Sequence, residues 1–155
     1  MAGIYIEEPL LAAAAKGRAH EVRKLLSVNV NTEAEDAHGN TPLILAAMNG
    51  HLAVANLLLN HGAKIHVNEG NGWTPLHAAA FHGRFDIVDS LLTFGNPISA
   101  DKNGNTPAHL AAKEGHLDVV KRLKAAGADL NEKNDLGLSV VDVAHLTIRD
   151  EVADL

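Results

Sequence analysis

Cysteine is absent from all 155 residues, which excludes a disulfide framework and a thiolate metal site. Such a composition fits a reducing compartment and fits an engineered chain equally well. Aromatic residues are nearly as scarce at 3%, with one Trp, one Tyr and three Phe. A core must therefore come from aliphatic side chains and alanine, within 46% hydrophobic residues. Basic clusters are missing too. The net charge is −6 and the acids are spread along the chain, which argues against nucleic acid, because phosphate binding depends on clustered Lys and Arg. No apolar run reaches the roughly 20 residues that span a bilayer, so no membrane contact is expected. The start "MAGIYIEEP" lacks a basic segment ahead of a long apolar one, so no signal peptide is expected. The length implies one domain, 1–155, burying roughly 70% of the surface exposed by its unfolded form. A soluble intracellular protein, cytoplasmic or nuclear, is the expectation.

What the chain does have is repetition. "NTPLILAAMNGH" at 40–51, "WTPLHAAAFHGR" at 73–84 and "NTPAHLAAKEGH" at 105–116 are variants of one segment. Thr41, Thr74, Thr106 and Ser139 stand 33, 32 and 33 residues apart, and Gly17, Gly50, Gly83 and Gly115 stand 33, 33 and 32 apart. A fixed period of this size marks a repeat array. Each copy reads as helix, turn, helix and finger. The Thr can accept from the free N–H groups of the first turn, and Pro42, Pro75 and Pro107 occupy the first helical position, where no N–H is missed. Paired alanines (46–47, 79–80, 111–112) leave room for close neighbours, and the glycine then ends the helix in a left-handed conformation. In the second helix Leu52, Val54, Leu57 and Leu58 can share a face. Gly62, Gly95 and Gly127 stop that helix, with Asn29 standing in for glycine in the first copy.

The stretches "TPLHAAAFHG", "NTPAHLAAKEGHLDVVKRL" and "GADLNEKNDLG" resemble the ankyrin repeat, whose signature is Thr-Pro-Leu-His-x-Ala in a unit of about 33 residues. The resemblance implies an all-α solenoid of stacked helix-turn-helix units with projecting, hairpin-like fingers. Five units are expected: 8–39 as N-terminal cap, 40–72, 73–104, 105–137, and 138–155 as C-terminal cap. Unit one keeps Pro9 and Gly17. Unit five replaces Thr-Pro by Ser139-Val140 and has Ile148 where a glycine would end its first helix. The chain stops at "DEVADL", inside an expected second helix, so a longer natural array is expected. The finger "GNPISADKNG" is one residue short and is expected to be displaced.

Ten histidines invite a metal or catalytic reading, but register weakens it. His77 and His109 fill the Thr-Pro-Leu-His slot, where the family's imidazole bonds between units. Histidines one repeat apart are too distant to share a zinc ion, and His61 with His66 lacks a third ligand. No nucleophile elbow, phosphate loop or carboxylate pair is present, so neither an enzyme nor a cofactor is expected. The resemblance assigns partner binding to positions flanking each finger glycine and to the last residues of each first helix. These are Ala37, His38, Asn40, Met48 and Asn49; Asn71, Trp73, Phe81 and His82; Lys102, Asn103, Asn105, Lys113 and Glu114; and Leu136 and Leu138. They are read as free of capping and stacking duties. Trp73 and Phe81 are weighed as exposed anchors against packing on the next finger. A monomer binding an unidentified protein is the expectation. Alternatives are a partner-free engineered scaffold and, by a weaker resemblance, the ankyrin-type inhibitors of cyclin-dependent kinases. Those inhibitors shorten the first helix of unit two, and they carry "HDAAR" where this chain has "HAAAF".

Overall fold

The computed structural model describes residues 4–65, 70–95 and 97–155. Among the described residues ten helices form five pairs: α1 (Ile4–Lys16) with α2 (Ala19–Leu26), α3 (Pro42–Asn49) with α4 (Leu52–Asn60), α5 (Pro75–Phe81) with α6 (Phe85–Thr93), α7 (Pro107–Lys113) with α8 (Leu117–Ala125), and α9 (Val140–Val143) with α10 (Arg149–Ala153). The first helices contact one another in series (α1, α3, α5, α7, α9), and the second helices form a parallel series behind them. Two layers result, each unit resting on its neighbours, which is the build of a solenoid. Among the described residues no strand forms beyond the single bridging residue Trp73.

Local chemistry sets the helix limits. Thr41, Thr74 and Thr106 accept from the amides of Ile44, His77 and His109. Twelve of the glycines have positive φ, and Asn29 at φ 56 is the one non-glycine residue that joins them among the described residues. Small residues make the layer tight: Ala46, Ala47, Ala79, Ala80, Ala111 and Ala112 are all fully buried. Replacing Ala79 or Ala111 with Leu should force adjacent first helices apart and cost about 1–3 kcal/mol. An unchanged denaturation midpoint in both variants would show that the alanines do not set the stacking distance. In the second layer the buried face of α4 is Val54, Ala55, Leu58 and Leu59. Leu52 and Leu57 are only partly buried.

Two readings of the ends change. Pro9 does not open a helix, because α1 begins at Ile4 and runs through it. The first helix of unit five does not extend towards Ile148 but stops after one turn, at Val143. Ser139 caps that turn with Asp142, but Val140, Val141 and Val143 are β-branched and propagate a helix weakly. Ala144 turns extended at ψ 137, and the next amide, that of His145, donates to Ala112 O at 2.8 Å instead. The tip of the short third finger closes as the other tips do. Its Asp101–Asn105 turn closes with bonds of 2.9 and 3.0 Å, as in the turns at 36–40 and 134–138. Asn96, nearest the missing position, lies outside the described residues.

Candidate functional site

Fingers are held by a repeated acceptor. Asp36 Oδ1 accepts the amides of His38 and Asn40, Asp101 Oδ1 those of Asn103 and Asn105, and Asn134 Oδ1 those of Leu136 and Leu138. A reversing chain leaves these N–H groups without backbone partners, and a short Asp or Asn side chain reaches them. Neighbouring fingers are joined by Lys102 N–H to Asn71 O at 3.2 Å and Asp135 N–H to Asn103 O at 3.0 Å. Asp101 is missing from the sequence reading. The spacing "DAHG", "DKNG", "NDLG", an Asp or Asn three residues before a glycine, is the signal that would have found it.

Histidines bind the units together in two directions. The Nε2–H of His77 donates forward to Asn105 O, and that of His109 to Leu138 O, both at 3.0 Å. Backwards, His51 donates to Ala15 O and His116 to Phe81 O, also at 3.0 Å, while Arg84 Nε does the same for Met48 O at 3.2 Å. Burial pushes the imidazole of His77 below its ordinary value, against the opposing effects of Asn105 O and the Asp101 carboxylate. His61 bonds to the carbonyl of Leu57, and His66 lies outside the described residues. Among the described residues no three His, Asp or Glu come together in a metal-holding group.

Where the first helices face the fingers, three clefts open. The largest, about 550 Å³, lies between α1 and the first finger, lined by Glu8, Leu11, Ala12, Ala15, Ala34, Glu35, Asp36, Ala37 and Leu45. A second, about 290 Å³, gathers His38, Asn40, Met48, Asn71 and Trp73 from the expected set, together with Ile44. The third, about 310 Å³, gathers Asn105, Lys113, Leu136 and Leu138 with Leu110, His109, Asn134 and Val143. Phe81 joins the second through Trp73, ring centroids 5.2 Å apart, and His82 stands edge-on to Phe81 at 5.1 Å. Burial lowers the pKa of His82, with the charges of Arg84 and His116 adding to it. Asn49, Lys102, Asn103 and Glu114 are exposed but line none of the three. Of the largest cleft only Ala37 was anticipated.

Several expected binding residues are not free of structural duty. Asn71 Oδ1 accepts the amide of Trp73, Asn40 Nδ2 donates to Asp36, Asn49 Nδ2 to Leu45 O, and Asn105 Oδ1 accepts from Asn134. Chain reversal needs acceptors, and Asn40, Asn71 and Asn105 provide them or steady those that do, while Asn49 bonds back along α3. Nor is Trp73 an exposed anchor. It is partly buried and packed on the core, and its Nε1–H donates at 3.1 Å to the buried carboxylate of Asp101. Trp73→Ala should therefore cost about 2 kcal/mol, from lost contact and an Asp101 oxygen left without its donor. Trp73 fluorescence should lie to the blue of free indole yet remain partly quenchable by iodide. Emission at the free-indole wavelength would show that the bond to Asp101 does not hold the ring.

A comparison with curated proteins found no match. A family model described as ankyrin repeats (3 copies) matches residues 4–69 and again 62–134, the span in which the Thr caps, the left-handed glycines and the bridging histidines recur. On that match and on the stacked helix pairs, the chain belongs to the ankyrin repeat family.

Proposed function

We propose that the protein is a non-catalytic binding module that grips a protein partner across its first helices and finger tips. Ankyrin repeats are in general protein–protein interaction modules, and the family is typically non-catalytic. The observation that carries the reading to this face is the row of three clefts, with the Trp73–Phe81 pair beside the middle one. Clefts beside partly buried aromatics are where interface energy concentrates. His38, Met48, His82 and Lys113 are the side chains we assign to the partner, flanked by Asn49, Lys102, Asn103 and Glu114. Asn40, Asn71 and Asn105 shape the surface they stand on. The reading takes the protein as a monomer of the cytoplasm or nucleus, and the net charge of −6 supports a partner other than nucleic acid. Kinase inhibition gains nothing from the fold, because α3 has its full eight residues where the inhibitors shorten that helix.

Photo-reactive residues at positions 38 and 113 should cross-link a partner in lysate, while the same group at Lys121, on α8, should not. Cross-links confined to position 121 would move the interface to the second layer. A chain that captures nothing and resists denaturant strongly would be a scaffold.

A further inference from the structure

The two end clefts carry opposite charge. The one beside α1 is lined by three carboxylates (Glu8, Glu35, Asp36) over Leu11, Ala15 and Leu45, with no Lys or Arg among the described residues of its lining. Burial raises the Asp36 carboxyl, but the amide and side chain of Asn40 and the amide of His38 outweigh it and hold the pKa below the ordinary value. Those bonds orient the charge without neutralising it.

Among the described residues, the cleft between α7 and α9 has a single charged lining residue, Lys113, beside Leu110, Val143, Leu136 and Leu138. Val143, the last residue of the one-turn α9, is part of its lining. Leu136 is 82% exposed at a tip position where the other fingers have His38, Asn71 and Asn103. Glu114 and Asp135 are nearby acids that do not line it. Asp135 lies against the neighbouring finger, where a Cβ on Gly104 would come within 2.6 Å of its carboxylate.

We infer that the partner binds as an extended, electrically polar segment: a cationic side chain beside an apolar one over α1, and an apolar side chain beside a carboxylate between α7 and α9. This rests on the binding face proposed above and adds to it the orientation of the partner. Three steps separate the clefts, α1 to α3 to α5 to α7. At roughly 8–10 Å per packed helix and about 3.3 Å per extended residue, about eight residues span them. Charge complementarity of this kind fixes register and orientation more than raw affinity.

The test is a random twelve-residue phage-displayed library selected on the full chain. Enriched peptides should carry Lys or Arg beside an apolar residue at one end, and Asp or Glu beside an apolar residue about eight positions away. A photo-reactive group at the basic end should label 8–15, and one at the acidic end 136–143. Glu8→Lys and Lys113→Glu, both exposed changes, should each weaken such a peptide about fivefold at low salt and less at high salt. Charge-blind peptides that still label the first helices, or inverted labelling, would overturn the polarity and leave the binding face standing. An empty selection, or labelling of the second helices, would overturn both.

Discussion

Replacing His77 with alanine is expected to lower the unfolding free energy by about 3–5 kcal/mol, the sum of a cavity and of buried polar groups left without partners. The side chain is fully buried and serves both sides of a unit boundary. Its Nδ1 accepts the amide of Thr74 and faces the Thr74 hydroxyl, closing a capping box in which histidine takes the usual Glu or Gln role. Its Nε2–H reaches Asn105 O in the next unit. With Nδ1 an acceptor and Nε2 a donor, the ring is neutral, and protonation at Nδ1 would break the cap. Its pKa is lowered from 6.5 by burial, so the unfolded chain takes up the proton first. The contribution is complete above about pH 6.5 and declines as pH falls below it towards the folded value. Denaturant midpoints at pH 7.5 and 5.0, measured at unchanged slope, should differ more in the parent than in His77→Ala. A variant that loses under 1 kcal/mol, or equal pH dependence in the two proteins, would remove His77 from the joint.

Gly83→Ala is expected to cost about 2–4 kcal/mol, although Gly→Ala commonly stabilises where the backbone allows it. The backbone here does not allow it, since φ is +67, and an added Cβ would stand 2.6 Å from His116 Nδ1 and 2.7 Å from its Cε1. The imidazole could swing away, but only by releasing its bond to Phe81 O. Gly62 is the control. Its φ is +83, but none of the described residues lies within 4 Å of an added Cβ, so Gly62→Ala should cost the left-handed strain alone, about 1–2 kcal/mol. The difference between the two midpoints isolates the seat that Gly83 gives to His116. Equal losses would mean that the ring relocates freely.

The parts of this fold visible in the sequence are those in which one residue has one local duty. A Thr before a Pro starts a helix and a glycine stops it, whatever lies elsewhere, so the helix pairs of units two to four could be placed from residue types alone. Asn29 could be placed for the same reason. The parts that were not visible depend on distant partners. Trp73 looks free until Asp101, 28 residues on, is brought beneath it. The early stop of α9 is decided by the Ala112 carbonyl as much as by three valines. The apolar side of the α1 cleft, Leu11, Ala12 and Ala15 on α1 with Leu45 on α3, reads as core from its residue types. That it faces an opening follows only once the first finger is placed opposite it.

The backward bonds also have a consequence in time. Ala15, Met48 and Phe81 each present a helix-end carbonyl to a side chain 36, 36 and 35 residues downstream. On a ribosome adding about 5–20 residues per second, every helix pair emerges with that carbonyl open and waits about 2–7 seconds for its successor to cover it. The array is therefore finished from behind, each newborn unit completing the one before it. The fifth unit closes its predecessor with a backbone amide, that of His145, for which no particular side chain has to be supplied.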